Sequence, residues 1–210
     1  MKPFTLIIAL SIWTLNAMAT DYHFVAKADN QYVNPANWSP AYPGVEIGPE
    51  DRIFIDDDAV YEGLNLEVYG TIEIALGTTL SSASGELRLR YSGTCNNYGT
   101  IRVKGTRIWG SFTNNTSGRI FSSFISIRKE ANLSNLPGAS FVIQGDLANL
   151  GRVLNYGHVS VGNKLILMDH SQFRQIGRAE LLVRGGLSAD PRSMLEKTPQ
   201  SYVQIADATP

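Results

Sequence analysis

The chain has 210 residues, with 18 basic and 19 acidic side chains and a formal net charge of −1 at neutral pH. Charge this evenly matched argues against a nucleic-acid or acidic-membrane partner, which would want a basic patch. The single cysteine, Cys95, excludes a disulfide framework, so packing holds the fold and Cys95 is expected as a small apolar group inside a turn.

Lys2, the mostly apolar run over 4–15 and the small-residue site Ala17-Met18-Ala19 read as a signal peptide over 1–19. The protein is therefore expected to be exported, secreted or at the cell surface. The apolar run is shorter than the roughly 20 residues a membrane helix needs, and no longer run follows, so no transmembrane span is expected. Residues 20–50 have no clear period and contain Asn34-Pro35-Ala36-Asn37-Trp38-Ser39-Pro40 and Tyr42-Pro43-Gly44. Repeated prolines hold the residues before them extended and forbid long helices. This stretch predicts an irregular N-terminal cap, with Trp38 over apolar side chains, closing the first end of a repeat stack.

From Ile53/Ile55 onward the chain is built of short alternations: Ile72/Ile74, Leu87/Leu89, Ile101/Val103, Ile125/Ile127, Phe141/Ile143, Val159/Val161 and Leu181/Val183. Each is bounded by Gly, Asn or Ser, as short strands are. One phrase recurs: Asn155-Tyr156-Gly157 before Val159, Asn97-Tyr98-Gly99 before Ile101, and Val68-Tyr69-Gly70 before Ile72. Corner glycines at 99, 118, 138, 157 and 177 step by 19 or 20 residues, and so does a second phase, Leu89, Ile108, Ile127, Leu147, Leu167 and Leu187. Two phases in register mean that each coil contributes at least two strands. The predicted fold class is all-β: a single-stranded parallel β-solenoid over 51–187, with roughly 19–20 residues per coil, capped at both ends. Six coils would make a rod of about 29 Å. Ile, Val and Leu point inward as ladders, while Arg88, Arg102, Glu73 and Ser160 point outward. Corner Asn residues tolerate the turn and stack their amides on the Asn above. Residues 188–210 read as a C-terminal cap or tail, with a short helix over 193–197 and a last strand over 202–205.

The Asn-Tyr-Gly-Thr-Ile phrase and its relatives resemble coils of secreted bacterial β-helix proteins, the pectin-lyase-like superfamily broadly taken. They look like the "N-x-G-x-Ψ-x-Ψ" coils of surface adhesins and autotransporter passengers. The opening Asn37-Trp38-Ser39-Pro40, with Pro43-Gly44 and Pro49-Glu50-Asp51-Arg52-Ile53-Phe54-Ile55, is similar to the segment that opens many such solenoids and, loosely, to the G8 domain. The resemblance spans residues 53–187 and implies a parallel β-helix. Its motifs are structural, and so specific for fold but poor for function.

Tyr69, Tyr98 and Tyr156 precede the corner glycine in matching positions of three coils, with Ile176 in a fourth, and Trp109 adds aromatic surface nearby. Such a row stacks on sugar rings, or else shields the core at a corner. Arg88, Arg90, Arg102, Lys104 and Arg107 form a basic cluster over two coils. On one face they would contact an acidic polysaccharide; the plainer role is to keep a strand surface hydrated. Asp56-Asp57-Asp58 offer oxygen ligands to calcium, as in calcium-assisted sugar lyases, but successive strand residues alternate faces, and a solvated turn is the plainer reading. His23, His158 and His170 lack zinc spacing, and Asp169-His170-Ser171 lacks a nucleophile elbow. Sequons stand at Asn37, Asn114, Asn115 and Asn132.

These features lead to an exported, non-enzymatic solenoid acting as an adhesion, matrix or glycan-contacting surface module. Its expected binding residues are Tyr69, Tyr98, Tyr156, Trp109, Arg88 and Arg102, and its expected partner is a glycan or a cell-surface or matrix protein. No catalytic residue, metal site or cofactor is assigned, calcium being the one ion the aspartates would admit. The alternative is a small polysaccharide lyase or hydrolase acting on an acidic polysaccharide, but the tight corners from Gly99 to Gly177 leave no long loops to build a cleft.

Overall fold

The computed structural model describes residues 19–206. The expected signal peptide, save Ala19, lies outside the described residues, as do residues 207–210. The chain winds as a parallel β-solenoid of about eight turns rather than six. On the first face nine rungs run from Asp21–Phe24 to Met194–Lys197, a length of about 38 Å at the usual strand spacing.

Each full turn has three faces. The first is a ten-stranded sheet; the second and third share a thirteen-stranded one. In three turns these two faces are a single bent strand, namely Thr79–Leu89, Thr100–Ile108 and Arg119–Ile127. Later they separate, as in His158–Val161 followed by Leu165–Leu167.

Turn length varies more than the spacing of the glycines implies. Paired first-face strands open at Arg52, Thr71, Thr94, Ser111, Asn132, Arg152, Gln172 and Met194, so successive turns take 19, 23, 17, 21, 20, 20 and 22 residues. The average is close to the expected length, but the even beat joins different ladders. Leu89, Ile108 and Ile127 do stack, yet the next rungs are Asn149, Leu167 and Ala189. Leu147 belongs to the neighbouring ladder, with Ile125, Leu165 and Leu187. Extra residues at one corner are offset by missing ones at another.

Inward positions alternate along each strand, as the pleat requires. On the first face one buried column runs Ile53, Ile72, Cys95, Phe112, Leu133, Val153 and Phe173. Cys95 is therefore on a strand rather than in a turn, and burial pushes its thiol pKa far up. The neighbouring column begins Phe24, Ile55, Ile74 and then changes chemistry to Asn97, Asn114, Asn135, Asn155 and Gln175. Each of these Asn Nδ2 groups donates to the next side-chain oxygen, at 2.8, 2.9, 2.7 and 2.9 Å in order. The same groups donate to corner carbonyls, as Asn114 does to Gly118 O and Ser140 O. The ladder thus adds a side-chain donor to corner carbonyls that also accept a backbone N–H from the next turn, as Gly118 O does from Ser140.

At the N-terminal end Asp21–Phe24 already pairs in parallel with Arg52–Ile55, and Trp38–Ser39 pairs antiparallel beyond it. Trp38 is buried, as expected: its ring lies 4.8 Å from Tyr32 and 5.3 Å from Phe24, and its Nε1 donates to Tyr32 O. At the other end Met194–Lys197 is a strand paired with Gln172–Gln175, not a helix. Pairing with a waiting sheet edge satisfies its backbone, whereas an isolated turn of helix that short is unstable in water. Tyr202–Ile205 forms the expected last strand. No helix among the described residues is long and apolar enough to cross a membrane.

Candidate functional site

The three tyrosines do not form one row. Tyr98 and Tyr156 stand at the corner after the first face, where successive turns place Ala75, Tyr98, Asn115, Leu136, Tyr156 and Ile176. Two turns separate them. Tyr69 stands at the corner after the third face, in a column that continues Arg90, Trp109, Arg128. The Tyr-Gly phrase is the same, but the strand before it comes from a different face.

Trp109 is flanked within its column. The Arg90 guanidinium lies 4.8 Å from the ring centroid and that of Arg128 lies 5.5 Å away. Arg90 belongs to the turn before and Arg128 to the turn after, so the ring is a structural rung between two cations.

The basic cluster is also divided. Arg88 and Arg107 point outward from the third face, where Glu67 and Glu86 meet them and Arg90. Arg88 Nη1 donates to Glu67 Oε1 at 2.9 Å and its Nε to Glu86 Oε2 at 2.7 Å, while Arg107 Nε donates to Glu86 at 2.9 Å. The two carboxylates are only 14% and 13% exposed. Burial pushes the Glu86 pKa up, but hydrogen bonds from Arg107 and Arg88, with their charges, outweigh it and hold it below the ordinary value. Arg88 is thus spent on a local ion network.

Arg102 stands apart on the second face. Its guanidinium carbon lies over the Phe121 ring of the next turn, 4.0 Å from the centroid. Lys104 follows two residues on, where the pairing register shifts between Val103 and Gly105. Neither cation has a carboxylate within ion-pair distance among the described residues. Around them, where strands bend from the second face into the third, lies a shallow groove of about 380 Å³. Arg102, Lys104, Phe121, Ser123, Val142 and Gln144 form much of its wall. Glu62 lines one end, but its carboxylate is engaged by Ala83 N–H at 2.9 Å and Ser84 Oγ at 3.1 Å, and the first of these bonds leads in lowering its pKa. The groove therefore offers two free cations, an outward aromatic and several small polar groups. Phe121 was missed as a site residue although the alternation of Ile120, Phe121 and Ser122 marks it as outward.

The other candidates do not converge. Asp56 faces His23 at 2.7 Å and Asp58 accepts the Thr79 N–H at 2.7 Å, while Asp57 is exposed. No group of three or more His, Cys, Asp or Glu that could hold a metal ion occurs among the described residues. His158 faces Glu180 at 3.1 Å, and Ser171 is buried beside Ser193, away from a triad geometry with exposed His170. Of the sequon residues, Asn37 and Asn114 are fully buried and Asn115 hides its amide nitrogen; Asn132 is exposed.

No protein-family model, no curated protein and no solved structure matches the chain. The reading of function rests on the chain's own geometry.

Proposed function

We propose that this protein is an exported, non-enzymatic β-solenoid that serves as an adhesion, matrix or glycan-contacting module, of the kind found among secreted bacterial β-helix proteins. The observation that carries this is the groove around Arg102, Lys104 and Phe121, with two cations free of carboxylates among the described residues. A guanidinium held over an aromatic ring loses less further freedom when its donors meet an anionic or hydroxyl-rich ligand. The partner is a glycan, free or carried by a cell-surface or matrix protein, and the solenoid faces supply area around the groove.

The test is a glycan-array screen of the purified protein beside Arg102→Ala/Lys104→Ala, with a reducing-end assay on every hit, with and without calcium. Binding by the wild type, weakened about tenfold or more in the double variant and without new reducing ends, is expected. Equal binding by the variant removes the groove from the account. New reducing ends that vanish with chelator overturn the non-enzymatic reading.

A further inference from the structure

In a solenoid the order of residues along the chain is also their order along the axis. A charge imbalance in the sequence therefore becomes an imbalance along the rod. Residues 20–96 carry twelve acidic and four basic side chains, whereas residues 97–206 carry six acidic and thirteen basic. A net charge of −1 thus conceals a rod with −8 on its first half and +7 on its second. The crossover falls at Asn97, where the amide ladder begins.

The two ends differ as surfaces as well. At the acidic end the outermost strand of the first sheet, Trp38–Ser39, is two residues long and is followed by Pro40, which has no N–H to offer another strand. Behind it the aromatic cluster of Phe24, Tyr32 and Trp38 closes the core. At the basic end Leu187–Ala189, Met194–Lys197 and Tyr202–Ile205 are each paired on one side only among the described residues. Leu195, Val203 and Ile205, which would be inward in any earlier turn, are only partly buried there, and Leu187 is 41% exposed. Locally the charges also match: residues 20–52 hold five acidic and two basic side chains, and residues 172–206 hold five basic and three acidic.

We propose that a second copy of this chain docks end to end on the last turn, its acidic first end against the basic last turn of its neighbour. Opposite charges would also attract two rods lying side by side and antiparallel. That arrangement leaves the one-sided strands, the exposed Leu187 and the partly buried Val203 and Ile205 uncovered, whereas end-to-end docking covers them. An end-to-end contact joins two different surfaces, so each added copy presents a fresh acidic or basic end and the assembly stays open. Charge brings the ends together, and burial of the last turn holds them.

Sedimentation of the purified protein over a wide concentration range, at about 0.01 M and about 1 M salt, tests this, since screening shortens from about 30 Å to about 3 Å between them. Expected is a mass that climbs without a plateau as concentration rises at low salt, with a markedly higher concentration needed for the same assembly at high salt. Two exposed double variants dissect the contact: Arg192→Gln/Lys197→Gln at the basic end and Glu46→Gln/Glu50→Gln at the acidic end. Each is expected to raise the concentration for assembly about tenfold or more with an unchanged melting curve. A single copy at every concentration and salt overturns the proposal. So does a closed dimer that stops growing, which is the signature of side-by-side pairing, and so does assembly indifferent to both variants.

Discussion

Asn135 donates a hydrogen bond from its Nδ2 to the Oδ1 of Asn155 over 2.7 Å, joining two side chains twenty residues apart. It also receives one from Asn114 at 2.9 Å, so one amide ties three turns together inside the corner. Asn135→Ala removes both bonds and its donation to His158 O, while Asn155 Oδ1 keeps the Gly157 N–H and Asn114 Nδ2 keeps Gly118 O and Ser140 O. The expected loss of stability is about 2 kcal/mol, since each lost hydrogen bond is worth about 1 kcal/mol net. Asn132→Ala, on the outward side of the same strand, is expected to change stability by less than about 0.5 kcal/mol. Denaturant titration of the two variants checks the contrast.

Gly157 lies against the turn before it. A Cβ built there would stand 2.3 Å from Ala139 O and 2.7 Å from Leu136 O, both rigid backbone atoms. In the turn before, Ala139 occupies the equivalent place, because Gly138, at a φ of 83°, takes the corner one residue sooner. Gly157→Ala is therefore expected to destabilise by about 3 kcal/mol, and Ala139→Gly by about 1 kcal/mol. Thermal melts of both variants measure the difference.

The Glu67–Glu86–Arg88–Arg90–Arg107 network makes stability depend on acid. The folded Glu86 pKa lies below its ordinary value near 4.5, so its contribution is present above that pH and is lost as pH falls through the folded value. The melting temperature is expected to drop on acidification below about pH 4.5. Glu86→Gln is expected to start lower at neutral pH and to show a shallower decline. An equal slope in both proteins removes Glu86 as a source of the acid sensitivity.

Trp109 is expected to matter for stability and not for ligand. Trp109→Ala loses a half-buried ring and two cation–π contacts, a cost of about 2 kcal/mol. Binding of any glycan hit at a temperature where the variant stays folded is expected to equal that of the wild type. A binding loss without a stability loss would return Trp109 to the ligand surface.

The strands, their inward and outward residues and the parallel winding were legible in the sequence, because alternation and bounding Gly or Asn are local properties. Ile101 and Val103 are buried and Arg102 is exposed, as their alternation demands. The corner amide stack was legible for Asn97 and Asn155, which sit in the repeated phrase. It was not legible for Asn114 and Asn135, whose turns lack the Tyr-Gly that follows. The grouping of site residues failed for a related reason. Tyr69 and Tyr98 share a phrase but follow different faces, and Arg88 and Arg102 are close in sequence but lie on different faces.

The sequence by itself determined that this chain is a stack of short strands whose charge changes sign along its length. A two-residue period and the order of charges need no knowledge of what pairs with what. Only the tertiary structure decided which side chains share a face, which arginines are neutralised and where a groove opens. Those depend on register between turns, and turns of 17 to 23 residues shift register without altering the local pattern. Inter-turn hydrogen bonds choose the register that buries Ile, Val and Leu, and that choice left Arg102 and Lys104 without a carboxylate partner among the described residues while Glu67 and Glu86 took Arg88, Arg90 and Arg107.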